Sequence, residues 1–225
     1  MEFEAEVGGG AGEAARRVRR YYHPMSKVED QGVLDLLIKV YLKNMKYPQG
    51  GSFTQYVDEM QEGQFLQVTG VAGDIYYTGN SRFMIRNAES GEMEERFIDK
   101  VGMIAAGSGI TPMFQLIQTV ADAGSRDTTA LSLIYSCASP FDILLDEDLT
   151  DYEKAGKLFY FPIVQAPDEN WSMGDGDVSK HMIENVMPPR NAPNSLIIVC
   201  GPPKLKEDVK ALLDEMGYEN YFIFK

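Results

Sequence analysis

From about residue 99 onward the chain settles into a regular alternation. Short, continuous apolar runs over 101–106, 130–135, 158–164, 196–200 and 221–224 are separated by stretches of helical spacing over 112–121, 179–186 and 205–216. Uninterrupted apolar runs mark strands buried on both faces, and the helices between them are the crossovers that cover a parallel sheet. In the first of these helices, Phe114, Ile117 and Val120 recur every third residue and form the buried stripe. Earlier in the chain the rhythm differs. Val33-Leu34-Asp35-Leu36-Leu37-Ile38-Lys39-Val40-Tyr41-Leu42 predicts a strong strand, and Gln64-Phe65-Leu66-Gln67-Val68 alternates with period two. Between them Gln49-Gly50-Gly51-Ser52 marks a turn, after which 52–60 reads as a short helix with Phe53, Tyr56 and Val57 on one side.

These patterns predict β-structure from residue 19 to about 83 and a change of architecture near 88–99, where Asn87-Ala88-Glu89-Ser90-Gly91-Glu92 is polar and turn-prone. Residues 1–18, rich in Glu, Ala and Gly with Gly8-Gly9-Gly10 at their centre, show neither convincing strand alternation nor a helical stripe and are expected to be disordered or a frayed helix. The expected domains are therefore an atypical N-terminus (1–18), a β domain (19–95) and an α/β domain (96–225).

Composition narrows the functional classes. Of the 225 residues 44% are hydrophobic, sufficient for one large or two ordinary cores. A formal net charge of −13 argues against a nucleic-acid binder, which needs clustered Lys and Arg, and against an anionic membrane surface. The two cysteines, Cys137 and Cys200, cannot build a disulfide framework or a four-cysteine iron–sulfur site, and the two histidines, His23 and His181, make a structural zinc site improbable. No apolar run approaches the length of a membrane span, and no signal-peptide core or myristoylation signal opens the chain. The expectation is a reduced, soluble, cytoplasmic protein.

Four motifs carry chemistry. Gly107-Ser108-Gly109-Ile110-Thr111-Pro112 lies between an apolar strand and an amphipathic helix, where glycine lets the backbone approach a phosphate and the helix N-terminus offers unpaired N–H groups. An ordinary tight strand–helix turn has the same composition. Cys200-Gly201-Pro202-Pro203 follows another apolar strand, and ligands of open α/β sheets bind beyond the carboxyl ends of the strands; a lone cysteine is otherwise a small buried hydrophobe. Arg20-Tyr21-Tyr22-His23-Pro24-Met25-Ser26 joins a guanidinium suited to pyrophosphate with tyrosine faces suited to stacking, or is simply a basic, aromatic strand end. Gly50-Gly51-Ser52-Phe53-Thr54 offers a second phosphate cradle, or a Ser-capped helix start.

In order and spacing, Arg20-x-Tyr22-x-Pro24-x-Ser26, Ile38-Lys39-Val40-Tyr41, Gly50 to Thr54, Gly107 to Pro112 and Cys200 to Pro203 resemble the NADH–cytochrome b5 reductase pattern within the ferredoxin-reductase-like superfamily. Trp171 with Gly176-Asp177-Val178, and the Phe222-Ile223-Phe224 ending, fit as well, so the similarity runs from Arg20 to Lys225. The resemblance implies a β + α/β fold: an antiparallel FAD-binding β-barrel, here partial, followed by a parallel-sheet α/β NAD-binding domain. It implies that Arg20, Tyr21 and Tyr22 contact FAD, that Leu37, Lys39 and Leu42 lie on the strand contacting it further along, and that Gly51, Ser52, Phe53 and Thr54 hold its phosphates. Thr111 would touch the flavin, while Gly107, Ser108, Gly109, Cys200, Gly201, Pro202 and Pro203 would hold NADH. Tyr22, His23 and Cys200 would stand nearest the chemistry, with Cys200 at the nicotinamide.

Two departures from the family pattern stand out. His23 occupies a position that usually holds Thr or Ser; an imidazole there would change charge near neutral pH, or be an exposed turn residue. The barrel's opening strands ordinarily precede the Arg-x-Tyr motif, and residues 1–18 are not expected to supply them, which predicts weak FAD retention and association through an open sheet.

Beyond the 130–135 strand, Ser136-Cys137-Ala138-Ser139-Pro140-Phe141-Asp142 contains no Lys or Arg for a 2′-phosphate, and Asp142 is placed to accept from ribose hydroxyls, unless it caps a helix over 143–145. The function implied is hydride transfer from NADH to FAD and one-electron delivery to cytochrome b5 or a similar haem protein. The alternatives are a nucleotide-binding variant without reductase activity and a segment of a multidomain, nitrate-reductase-like chain.

Overall fold

A computed structural model describes residues 1–7, 16–27, 29–45, 48–71 and 73–224. The chain divides into two compact units, Met1–Gly73 and Asp74–Lys225.

The first unit is built on a three-stranded antiparallel sheet of β1 (Glu2–Val7), β2 (Arg16–Tyr21) and β3 (Gln67–Gly70), in the order β2-β1-β3, with the helix α1 (Ser52–Asp58) packed on one face. The expectation that residues 1–18 are disordered is corrected here: 2–7 form the central strand and 16–18 open the next one, while 8–15 lie outside the described residues. Phe3, Ala5 and Val7 project to one face, where they are buried with Val18 and Phe53. Glu4 projects to the other face and is also buried, because Arg17 and Arg19 across the ladder meet its carboxylate at 3.5 and 2.5 Å.

The strong strand predicted over 33–42 is likewise corrected. Among the described residues it pairs only through an isolated bridge between Pro24 and Leu36, and Val33, Leu34, Tyr41 and Leu42 are exposed. High β-propensity does not make a strand without a neighbouring ladder to receive its N–H and C=O groups. The later predicted strand is offset, running from Gln67 rather than Gln64.

The second unit opens with the antiparallel strands β4 (Ile75–Gly79), β5 (Arg82–Arg86) and β6 (Met93–Phe97). The polar stretch 87–92, predicted as a domain boundary, is the β5–β6 hairpin loop, in which the Asn87 side chain accepts from the amides of Glu89 and Ser90. A side-chain-stabilised hairpin turn and a linker share the same composition. What fastens these strands to the second unit is a buried polar cluster. Asp127 accepts from the Tyr77 hydroxyl, from the Asn80 amide at 2.9 Å and from Thr129, while Ser81 and Thr129 share a 2.8 Å hydrogen bond. The unit therefore begins near Asp74, some twenty residues before the expected boundary.

Beyond it runs a six-stranded parallel sheet of β7 (Lys100–Ala106), β8 (Ala130–Cys137), β9 (Phe159–Val164), β10 (Gly174–Asp175), β11 (Ser195–Cys200) and β12 (Tyr221–Ile223), ordered β10-β9-β8-β7-β11-β12. The helices α2 (Ile110–Ala123), α4 (Lys180–Val186) and α5 (Pro203–Glu215) fall where the sequence places them, whereas α3 (Asp146–Lys154) was not predicted: it buries only Leu149 and carries no apolar stripe. Among the described residues, no helix is long and apolar enough to cross a membrane.

Candidate functional site

Strand order locates the site of the second unit. From β7 the chain steps outward through β8, β9 and β10, then returns to place β11 and β12 on the opposite side of β7, so the direction of winding reverses between β7 and β11. Open parallel sheets bind ligands at such a switch point, beyond the carboxyl ends of the strands. The two loops that leave this point are Gly107 to Thr111 after β7 and Cys200 to Pro203 after β11, whose ends are in register at Ala105 and Cys200. The structure thus brings together residues more than ninety positions apart in sequence.

Their approach is close enough to dictate residue type. A Cβ on Gly109 would land on the Cys200 carbonyl and 2.8 Å from the Gly201 amide nitrogen, so this position admits no side chain. Gly107 has φ +51 and nothing within 4 Å of where its Cβ would be, leaving the loop backbone open to a ligand at the head of α2. The Thr111 hydroxyl is buried and donates to the Ser108 carbonyl at 3.1 Å, which tightens the turn. Pro202 is the N-cap of α5 and Pro203 its first residue, fixing the exit of the second loop. Burial pushes the Cys200 thiol up to about 11, so it is protonated and not nucleophilic at neutral pH. Asp142 closes a 3₁₀ turn, Pro140–Asp142, at the end of β8 and accepts from Ser139 Oγ at 2.6 Å. It caps no helix, since α3 begins only at Asp146.

In the first unit, strand alternation sorts the Arg20-Tyr21-Tyr22 motif onto two faces. Tyr21 pairs with Glu2 and donates its hydroxyl to Glu2 Oε1 at 2.8 Å, on the face of Arg17 and Arg19. Arg20 stands opposite Phe3, on the α1 side, so the side chain of Tyr21 does not join those of Arg20 and Tyr22. Tyr22 lies against Phe53, ring centroids 5.8 Å apart and planes at 28°, with the edge of Phe3 at 5.9 Å.

The same alternation brings in Arg16, which the motif reading missed: its guanidinium donates to Ser52 Oγ at 3.2 Å, at the start of α1. Its spacing of two and four from Val18 and Arg20 was the available signal. Gly51 has no room for a Cβ against Thr54 Oγ1 and Tyr41. Thr54 is committed to that cradle, donating to the Gly51 carbonyl and accepting from the Tyr41 amide, and the Gly51 amide donates to the Tyr41 carbonyl at 2.7 Å. Phe53 is a core residue, 1% exposed. The segment of Leu37, Lys39 and Leu42 is therefore held at Tyr41 rather than in a ladder; Leu37 is half-buried, and Lys39 and Leu42 are exposed.

His23 is half-buried, and burial lowers its pKa to about 4, so it is neither an exposed turn residue nor a switch near neutral pH. The unfolded chain, with histidine near 6.5, binds more protons between these values, so stability is full above about pH 6.5 and falls as pH drops towards 4. Chemical denaturation at pH 7.5 and 5.0 is expected to show this loss in the wild type and a smaller one in His23→Gln; equal losses would reject it.

Comparison with known proteins agrees with this geometry. Residues 11–77 match the oxidoreductase FAD-binding domain and residues 103–211 the oxidoreductase NAD-binding domain. NADH-cytochrome b5 reductase 2 of Rattus norvegicus is 36% identical over 214 residues, spanning 92% of this chain and 76% of that protein. The chain belongs to the NADH–cytochrome b5 reductase family. Within this family of FAD- and NAD-binding oxidoreductases the likeness extends to multidomain proteins: nitrate reductase [NADH] 1 of Oryza sativa subsp. japonica is 38% identical over 214 residues, 91% of this chain but 23% of that protein. The crystal structure of the cytochrome b5 reductase domain of Ulva prolifera nitrate reductase superposes with a TM-score of 0.86 at 26% identity, covering 99% of this chain and 82% of that one.

Proposed function

We propose that this reductase takes electrons from NADH through FAD and delivers them to cytochrome b5 or a similar haem protein. The reading rests above all on the meeting of Gly109 with Cys200 and Gly201 at the switch point of the parallel sheet. A bound flavin would supply the chemistry, as hydride acceptor for the nicotinamide and single-electron donor to the haem protein.

The chain's own part is binding and orientation. In the first unit Arg20, Arg16 and Ser52 supply positive charge and a hydroxyl for the FAD pyrophosphate, with backbone amides at the start of α1, and Tyr22 supplies an aromatic face. In the second unit the open backbone of Gly107 and Ser108 receives the phosphates of NADH, and Cys200 contacts the nicotinamide as a neutral thiol. Reduction of purified cytochrome b5 by NADH, with one FAD per chain, is the direct test; flavin reduction by NADH without transfer to any haem protein would overturn the acceptor assignment.

Two further outcomes follow. NADH is expected to exceed NADPH in kcat/KM by at least about tenfold, since segment 136–142 has no cation and Asp142 repels a 2′-phosphate; equal efficiencies would reject this. Cys200→Ser is expected to slow flavin reduction in stopped flow with flavin content unchanged, and a variant that cannot hold FAD would show the assignment to be wrong.

A further inference from the structure

We propose that Tyr135 is a positioning residue for NADH, its hydroxyl tying the glycine turn after β7 to β8, the strand that leads to Asp142. The inference rests on the reading that this turn binds NADH and adds a residue that touches neither phosphate nor nicotinamide.

The β7–β8 ladder ends at Ala106 and Ser136. Beyond it both chains leave the sheet, and no backbone pairing joins Gly107 to the residues after Cys137. Tyr135 spans that gap from below. Its side chain is fully buried, and its hydroxyl donates to the Gly107 carbonyl at 2.9 Å. The carbonyl of Gly107 is thus held from β8, in a turn that has φ +51 and nothing within 4 Å of where a Cβ would stand.

A phenylalanine would fill the same volume, so the buried hydroxyl is explained by what it bonds. Burial also holds the phenol well above its ordinary pKa, which keeps the donor proton in place throughout the neutral range. The physical consequence is preorganisation: with the strut present, the phosphate loop is fixed to β8 before NADH arrives, and binding does not have to order it.

Tyr135→Phe in the full chain removes the hydroxyl and keeps the ring. Loss of the hydrogen bond to the Gly107 carbonyl is expected to raise KM for NADH about tenfold. ADP-ribose inhibition should weaken by the same factor, while kcat stays within about twofold and flavin absorbance per chain is unchanged. An unchanged KM accompanied only by a lower melting temperature would overturn the proposal and leave the hydroxyl a support of the fold. Should Tyr135→Phe fail to fold, Tyr135→Leu, which also removes the donor to the Gly107 carbonyl, is expected to raise KM in the same direction, and an unchanged KM there overturns the proposal equally. A wild-type chain that binds neither NADH nor ADP-ribose would instead refute the assignment of these loops to NADH.

Discussion

Gly109→Ala is expected to lower kcat/KM for NADH by about a hundredfold or more, equivalent to roughly 3 kcal/mol of lost transition-state stabilisation. The added methyl group would meet the carbonyl of Cys200 and the amide of Gly201. Neither is the movable end of a side chain; both belong to the backbone leaving β11, whose register with β7 runs through to Cys200 and Ala105. Relief therefore requires one loop to swing away from the other, and the two loops that meet at the switch point separate. Overpacking of this kind costs about 1–3 kcal/mol in stability as well. Gly107→Ala provides the contrast. Its Cβ meets open space, so the cost is the left-handed backbone alone, about 1–2 kcal/mol, and the kinetic loss is smaller. Steady-state kinetics with NADH and flavin absorbance per chain are the measurements, with FAD content expected to be unchanged in both variants. A Gly109→Ala enzyme with near-normal kcat/KM would show that the two loops do not need their present contact.

Phe3→Ala is expected to strip the protein of FAD while leaving NADH binding in place. Phe3 is 2% exposed and stands in the core formed by Ala5, Val7, Val18 and Phe53. Its ring edge supports Tyr22, which in turn lies on Phe53 at the start of α1. Truncation of a buried phenylalanine costs about 3–5 kcal/mol, a large part of the stability of a small domain. Both the aromatic face of Tyr22 and the Arg16–Ser52 contact hang on the strands that Phe3 anchors. The second unit has its own sheet and core, so its affinity for ADP-ribose should hold within about twofold, as for a change in an independent site. Flavin absorbance after gel filtration and ADP-ribose titration separate the two effects. Stoichiometric FAD in Phe3→Ala would mean that β1 contributes little to the flavin site.

The sequence by itself determined the parallel sheet and the residues at its edge. Strands buried on both faces must be continuously apolar, so the runs around Ile104, Ile134, Ile163 and Ile198 declared themselves without reference to their partners, and the Gly107–Thr111 and Cys200–Pro203 turns followed at their carboxyl ends. Elements that depend on a distant partner were decided only by the tertiary structure. Glu2–Val7 does alternate with period two, a signal that glutamate and alanine, as poor strand formers, make unconvincing; what fixes it as a central strand is Arg17 and Arg19 across the ladder neutralising a buried Glu4. Residues 33–42 failed in the opposite way: ideal strand composition, but among the described residues only the Pro24–Leu36 bridge to pair with. The hairpin at 87–92 and a linker look alike locally, and the Asp127 cluster, forty residues on, decides between them. The division of Arg20 and Tyr22 from Tyr21, the entry of Arg16, and the shift of His23 out of the neutral range all follow from faces and burial. Composition indicates which residue types can do the chemistry, but which side chains converge and which are desolvated is set by contacts between positions far apart in the chain.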